Sequence, residues 1–210
     1  SQFKPDSQWF EPEAGFPELD VAAGTALIEQ AEAENGPVEF TLATTPVPEN
    51  RASTQTLKAQ WEACGMTVNL AESEQSKFII DAALGNYQAN LWTQFGQPNP
   101  DADYHWWISD NAKPVGELAL NFSRLADDQI DAALNKGRAT DDQATRAEAY
   151  SALQVRQSEL VPYIWLNHRQ WAIGAQNNVR NIGNQTLPDG QPSAPFQVGV
   201  HRLTETWLEQ

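Results

Sequence analysis

The sequence predicts an α/β fold, a mixed sheet flanked by helices. Three observations lead there. Val38 to Trp92 reads strand–helix–strand–helix–strand, the alternation that gives a sheet covered by helices through right-handed crossovers. Residues 127–160 then carry apolar residues at helical spacing. Alternating apolar stretches return near the end, at Tyr163-Ile-Trp-Leu, Trp171-Ala-Ile-Gly and Val198–Trp207. The chain has 210 residues, 40% hydrophobic and 20% charged, with 8 Trp, 8 Phe and 4 Tyr, enough apolar material to exclude a disordered tail.

Each element has a local reason. Residues 1–19 contain Pro5, Pro12 and Pro17 among Phe3, Trp9, Phe10 and Phe16, which predicts an extended segment lying on the rest of the fold. Asp20 offers an N-cap to a helix over Val21–Glu34, with Ala23, Leu27 and Ala31 on one face and Gly36 after it. Val38–Leu42 alternates as a strand. Asn50 can cap a helix over Arg51–Cys64 with Leu57, Trp61 and Cys64 inward, closed by Gly65. Met66–Leu70 is the next strand. Ser73 or Glu74 opens a helix with Phe78, Ile79, Ala82 and Ala83 inside and Gly85 beyond; Tyr87–Trp92 is the third strand. Phe95–Phe122 is dense in turn formers and aromatics and reads as a long loop with one short helical piece. Asp127–Lys136 is helical, with Ile130, Ala133 and Leu134 inward and Gly137 as terminator. Thr140-Asp-Asp-Gln143 fits a capping box, and the helix after it turns Ala147, Tyr150, Leu153 and Leu160 inward until Pro162 stops it.

Charge narrows the function classes. Thirteen Lys and Arg face 28 Asp and Glu, a formal net charge of −15, and such a surface repels nucleic-acid phosphates and anionic lipid. The bias is uneven: residues 1–70 hold 3 basic and 11 acidic side chains, the last 70 hold 5 and 7. One Cys excludes a disulfide framework, and no stretch reaches the roughly 20 apolar residues of a transmembrane helix. Ser1-Gln-Phe-Lys-Pro is no secretion signal, so the protein is cytosolic, or a leader was removed or lies upstream.

No nucleophile elbow, zinc-helix, phosphate-loop, C-x-x-C or dinucleotide motif occurs. His105, His168 and His201 are far apart, and His168, in a tight turn between two strands, is expected to be exposed. Asp101, Asp103 and Asp110 lack the spacing of a calcium loop; Asp101 or Asp103 is expected to cap a helix. Cys64, beside Glu62 on an apolar face, reads as a small hydrophobe rather than a reactive thiol. Asn121-Phe-Ser and Asn184-Gln-Thr match the N-glycosylation pattern. The density of Trp92, Phe95, Tyr104, Trp106 and Trp107 is more informative, because it exceeds what a core needs at a strand end and suits a cleft wall. Trp92, Gln94 and Phe95 follow the carboxyl end of a strand, where open α/β sheets bind ligands.

An ordered series of residues carries a resemblance. It runs Asp20…Leu27-Ile, Phe40-Thr-Leu, Leu57…Trp61…Cys64-Gly65-Met, Phe78…Gly85-Asn-Tyr87…Trp92 and Asn99-Pro-Asp101. It continues through Asn121-Phe-Ser-Arg, Asp128…Ile-Asp-Ala-Ala-Leu, Asp142…Arg146…Tyr150…Leu153-Gln, Leu160-Val-Pro-Tyr-Ile-Trp and Val179-Arg-Asn-Ile. This series resembles the C-terminal part of family 5 extracellular solute-binding proteins of peptide-type ABC transporters, the oligopeptide, dipeptide and nickel class. The resemblance implies one lobe of a type II periplasmic-binding-protein-like fold. Residues 1–19 would pack on the lobe, 20–197 would form it, and 198–210 would return toward a missing N-terminal lobe. It implies a periplasmic or extracellular protein, with lipoprotein anchoring possible, that captures a peptide or other small solute between two lobes and hands it to a membrane permease. No cofactor, metal or catalysis is implied.

The resemblance suggests ligand contacts at Trp92, Gln94, Phe95, Thr45 and Tyr104. In dipeptide-binding members an Arg before the second helix and an Asp after the tryptophan hold the ligand's charged ends. This sequence has Thr44 or Thr45 at the first place and Trp92-Thr-Gln-Phe-Gly at the second. A desolvated charged end needs a charged partner, which makes a small zwitterionic dipeptide a poor fit. Two other classes compete: a hydrolase using Asp101 and Asp103 as paired carboxylates, and a ligand-sensing lobe of a signalling protein.

Overall fold

The computed structural model describes residues 1–94, 96, 99–170, 172–183, 186, 190–191, 203 and 205–209. Strand β1 (Glu39–Thr44) is the centre of a three-stranded sheet. Helix α2 (Pro48–Glu62) carries the chain to β2 (Thr67–Glu72), parallel to β1 in the register Glu39↔Thr67 to Thr44↔Glu72. Helix α3 (Gln75–Leu84) then crosses to the other side of β1, where β3 (Ala89–Asn90) pairs Leu42↔Ala89 and Ala43↔Asn90, also parallel. The order β2-β1-β3 reverses direction at β1, so the carboxyl ends of β1 and β3 lie side by side. Such a reversal opens a crevice beyond the strand ends. The α/β class stands. The central strands are parallel, and antiparallel pairing occurs in a separate ribbon of β4 (Val179–Arg180) with β5 (Trp207–Leu208). Of the strand expected over Val198–Trp207, residues 198–202 and 204 lie outside the described residues.

Several sequence expectations shift. Helix α1 (Val21–Asn35) is capped by Asp20, whose side chain accepts from the Ala23 N–H at 2.9 Å. Its inner face, however, is Gly24, Ile28 and Ala31 rather than Ala23, Leu27 and Ala31; Leu27 is 66% exposed. Gly24 turns inward because it faces the Cys64 sulfur, 3.5 Å from where a Cβ would sit. Helix α2 starts at Pro48 after Val47, and Asn50 falls in its first turn instead of capping it. A first-turn proline gives up only an N–H that has no helical partner anyway. In α3, Phe78 and Ala82 are buried but Ile79 is exposed, because a one-sided layer buries only one i, i+4 stripe.

Helices α5 (Asp128–Arg138) and α6 (Gln143–Leu160) pack as a hairpin. Ile130, Ala133 and Leu134 are buried against Tyr150 and Leu153, with Phe3, Trp9, Trp107 and Ile108 in the same cluster. Gly137 does not end α5. It is buried inside it, and a Cβ there would lie 2.7 Å from Tyr150 Cζ, so the glycine lets the hairpin close. The capping box does not form. Asp142 caps α6 by accepting from the Thr145 N–H at 2.9 Å, while Thr140 Oγ1 accepts from the Asp142 N–H. Leu160 is exposed at the helix end. Residues 1–19 lie along α6: Gln154 Nε2 donates to the Trp9 carbonyl at 2.7 Å, and its Oε1 accepts from Ser1 Oγ and the Glu11 N–H.

Between sheet and hairpin the chain makes two 3₁₀ turns, Pro100–Asp103 and Ser109–Asn111, around the short helix α4 (Tyr104–Trp107). Asn99, not an aspartate, caps the first turn, and Asp101 instead pairs with Arg138 at 2.9 Å. The strands expected at Tyr163–Leu166 and Trp171–Gly174 form no ladder among the described residues, and Trp171 itself lies outside them. Tyr163 and Trp165 alternate toward the core, packing on Trp107 at ring-centroid distances of 5.0 and 6.0 Å. Period-2 alternation here marks extended chain on a core without a neighbouring strand. Among the described residues, no helix is long and apolar enough to cross a membrane.

Asp127 joins the hairpin to a pH dependence. Its Oδ1 accepts from the Gln129 and Ile130 N–H groups, capping α5, and its Oδ2 takes Arg156 of α6 at 2.7 Å. Arg156 chiefly, then the α5 amides, holds the Asp127 carboxyl below the usual carboxylate range. A depressed folded pKa contributes stability that is complete above the unfolded value, about 3.9, and disappears as pH falls through the folded value. Asp127→Asn keeps the cap and removes the charge. Urea unfolding at pH 7 is expected to show it about 1 kcal/mol less stable than wild type. That gap should narrow as pH falls below the ordinary carboxylate range and through the depressed folded value, and a gap independent of pH would refute the assignment.

Candidate functional site

A cleft of about 980 Å³ opens at the carboxyl ends of β1 and β3. Leu91 continues from β3, its N–H donating to Ala43 O at 2.9 Å, and aims the next residues outward into the cleft wall. Trp92 stacks on Phe78 of α3 (centroids 5.5 Å, planes 22° apart) and meets Phe122 edge-on at 5.0 Å. Held between two aromatic neighbours, the indole is half-buried and still lines the cleft. Gln94 lies two residues on in the same wall, and neither end of its buried amide has a partner among the described residues. Phe95 lies outside the described residues.

Two other expected contacts sit apart from this cleft. Thr45 follows β1, but its hydroxyl accepts from Asn50 Nδ2 at 2.9 Å, and Asn50 is the residue that lines the wall. Tyr104 faces α5 instead. Its hydroxyl donates to Asn135 Oδ1 at 2.9 Å, and the Arg138 guanidinium lies 3.7 Å over its ring. One turn of α4 further on, Trp107 takes the cleft-facing position.

The opposite wall comes from sequence-distant segments. Tyr163 and Trp165 stack at 5.6 Å with planes 15° apart, and burial pushes the Tyr163 phenol well above its ordinary pKa. Tyr87 donates its hydroxyl to the Phe122 carbonyl, and burial raises its pKa too. His168 is exposed as expected yet belongs to the wall; burial is the main cause that lowers its pKa, which favours the neutral ring. The run Pro162-Tyr163-Ile-Trp165 could have signalled this wall by its aromatic alternation, whereas nothing in the sequence joins it to Trp92.

Arg124 holds the floor. Helix α3 ends at Gly85 in the left-handed conformation (φ 78), with the Gly85 N–H donating to Ala82 O and the Asn86 N–H to Asp81 O. The N–H groups of Gly116 and Ala119 take Leu84 O and Ala83 O, both at 2.8 Å. The Arg124 guanidinium then donates to Ala83 O at 2.8 Å and, more weakly, to the carbonyls of Ala82, Phe122 and Glu117. A cation at a helix C-terminus also complements the helix dipole. This fixes α3, and with it Phe78, against the segment that carries Phe122. Trp92 rests on both.

Among the described residues no three His, Cys, Asp or Glu side chains converge as a metal site. Asp101 is committed to Arg138 and is absent from the cleft wall. No family model matches the sequence, and no curated protein does. Solved structures do match in fold. A dipeptide binding protein from Pseudoalteromonas sp. SM9913, in complex with Met-Leu, superposes with a TM-score of 0.74 at 22% identity, covering 99% of this chain and 39% of that one. The chain shares the fold of that part of the protein. MoaA from A. tumefaciens R10, in complex with mannopinic acid, gives 0.65 at 22% identity over 74% of this chain and 31% of that one. The ABC transporter-associated periplasmic binding protein DppA from Helicobacter pylori, in complex with peptide STSA, gives 0.64 at 20% identity over 78% and 31%. The chain therefore spans roughly a third of the length of these structures. The α/β fold is the one that the ordered residue series leads one to expect.

Proposed function

We propose that this chain forms one wall of a solute-binding component of an ABC importer, capturing a peptide or other small solute outside the cytoplasm and delivering it to a membrane permease. The observation that carries the reading is the aromatic cleft at the β1/β3 strand ends, within a fold whose solved examples bind small ligands. Residues 20–197 serve as the lobe, with a second lobe closing over the cleft. Ligand touching both lobes only when closed shifts the population toward closure by its differential affinity. Trp92 and Gln94 supply contacts from this side, Thr45 acts through Asn50, and Phe95 belongs to the same run. Periplasmic or extracellular residence and a role in capture rather than catalysis belong to the same reading, which is compatible with anchoring as a lipoprotein.

The test begins with a thermal-shift screen of peptides and oligosaccharides to find a stabilising ligand. Trp92→Ala is then expected to weaken its affinity roughly thirtyfold by calorimetry, since truncating a central aromatic contact costs about 2 kcal/mol. Unchanged affinity in a folded variant would remove Trp92 as a contact.

A further inference from the structure

The chain carries a formal charge of −15, yet its cleft is almost free of ionised groups that a ligand could meet. No glutamate lines it among the described residues. Lys4, Asp6 and Arg169 are exposed at its edge. The Arg124 guanidinium donates both terminal nitrogens to backbone carbonyls while its Nε is buried without a partner among the described residues, and Asp103 is buried and engaged. The polar material of the wall is instead neutral amide: Gln2, Asn50, Gln88, Asn90, Gln94 and Asn167.

Some of these amides already have work. Gln88 Oε1 accepts from the Thr41 N–H at 2.8 Å, and Asn50 Nδ2 donates to Thr45. Others do not. Gln2 Oε1, Asn90 Oδ1, both ends of Gln94 and the indole Nε1 of Trp107 are buried without a hydrogen-bond partner among the described residues. Trp107 is only 4% exposed. An unmet polar group in a protein interior is unfavourable, so a site that keeps several around its cleft is arranged for a ligand that meets them. These amide and indole groups supply donors and acceptors without charge, and the one cation among the unmet lining groups is Arg124, through its Nε. Beside it stand the rings of Trp92, Tyr163 and Trp165.

We infer that the cleft selects an uncharged ligand that both donates and accepts hydrogen bonds and offers an apolar face to the rings. Hydroxyls of a neutral sugar and amides of a peptide without charged ends share this chemistry. An ammonium placed deep in the cleft would lose its water without a free carboxylate at that depth among the described lining residues, and a carboxylate would meet only Arg124, whose terminal nitrogens already serve backbone carbonyls. This inference rests on the binding reading above and narrows its ligand class.

Four probes test it on the 210-residue chain by tryptophan fluorescence and calorimetry: N-acetyl-dileucine amide, free dileucine, cellobiose and cellobionate. The expected result is that one neutral probe binds at least tenfold tighter than its charged counterpart, with its Kd changing less than twofold between 0.05 and 0.5 M NaCl. Which neutral probe binds separates peptide from sugar. Gln94→Leu and Gln94→Glu are each expected to weaken that binding about tenfold, while Gln94→Leu leaves the melting temperature unchanged or higher. Tighter binding of a charged probe, or affinity that collapses with salt, overturns the inference and leaves the binding reading intact. Saturation by none of the four also overturns it; the binding reading then depends on the wider ligand screen.

Discussion

Arg124→Ala is expected to remove about 3 kcal/mol of stability, measured by urea unfolding followed by tryptophan fluorescence. One charge-assisted hydrogen bond is worth about 1.5–3 kcal/mol, and Arg124 makes its strongest at 2.8 Å to Ala83 O, with longer ones to Ala82, Phe122 and Glu117. Its removal leaves the α3 end and the 117–122 segment without their common donor. Lysine cannot substitute, because a single ammonium cannot span carbonyls that lie on separate segments. Arg124 also has φ 53, a left-handed conformation disfavoured for any residue with a Cβ. Arg124→Gly loses the same guanidinium but none of this conformational cost, so it is expected to be about 1 kcal/mol more stable than Arg124→Ala. A loss below about 1 kcal/mol in the alanine variant would mean that the guanidinium contacts are incidental. Because Trp92 rests on Phe78 and Phe122, the same variant should shift tryptophan emission in the folded state.

The parts of this fold that were legible in the sequence are those fixed by local physics. The β1–α2–β2–α3–β3 alternation, the Asp20 cap and the inward Ile130, Ala133 and Leu134 all follow from spacing within a few residues of each other. What could not be read depends on contacts across the chain. The inner face of α1 is set by Cys64 approaching Gly24, forty residues away, and Gly137 stays inside its helix because the Tyr150 ring lies over it. The cleft shows the same division. Trp92 and Gln94 are announced by a strand end, a local signal. The far wall at Tyr163 and Trp165 is joined to them only by the tertiary fold, and Tyr104 lies elsewhere because Asn135 and Arg138 of α5, more than thirty residues on, take its hydroxyl and ring.

Asn121→Ala is the second large effect expected, at about 2–3 kcal/mol. Asn121 is 1% exposed, and its Nδ2 donates to Leu125 O at 2.9 Å and Trp107 O at 3.2 Å, with Ile108 O at 3.4 Å. Its Oδ1 accepts from Ser123 Oγ at 2.8 Å. Alanine would leave the Trp107 and Leu125 carbonyls and the Ser123 hydroxyl in the interior without this partner, at about 1–3 kcal/mol for each group left unsatisfied. Asn121→Asp is the sharper probe. Its carboxylate has the same shape but no donor, and it would face carbonyl oxygens. At pH 7 it is expected to be less stable than the alanine variant. Since burial among acceptors raises the folded pKa of such an acid, its stability should recover as pH falls through the folded value toward the unfolded one, about 3.9, where the protonated group can donate again. An aspartate variant as stable as wild type at pH 7 would show that the amide's hydrogen bonds do not hold the loop. The same burial decides the sequon Asn121-Phe-Ser: with its amide nitrogen engaged by backbone carbonyls, the folded chain cannot present it for glycosylation, and a glycan attached before folding would exclude the contacts that seat Trp107 in the cleft wall.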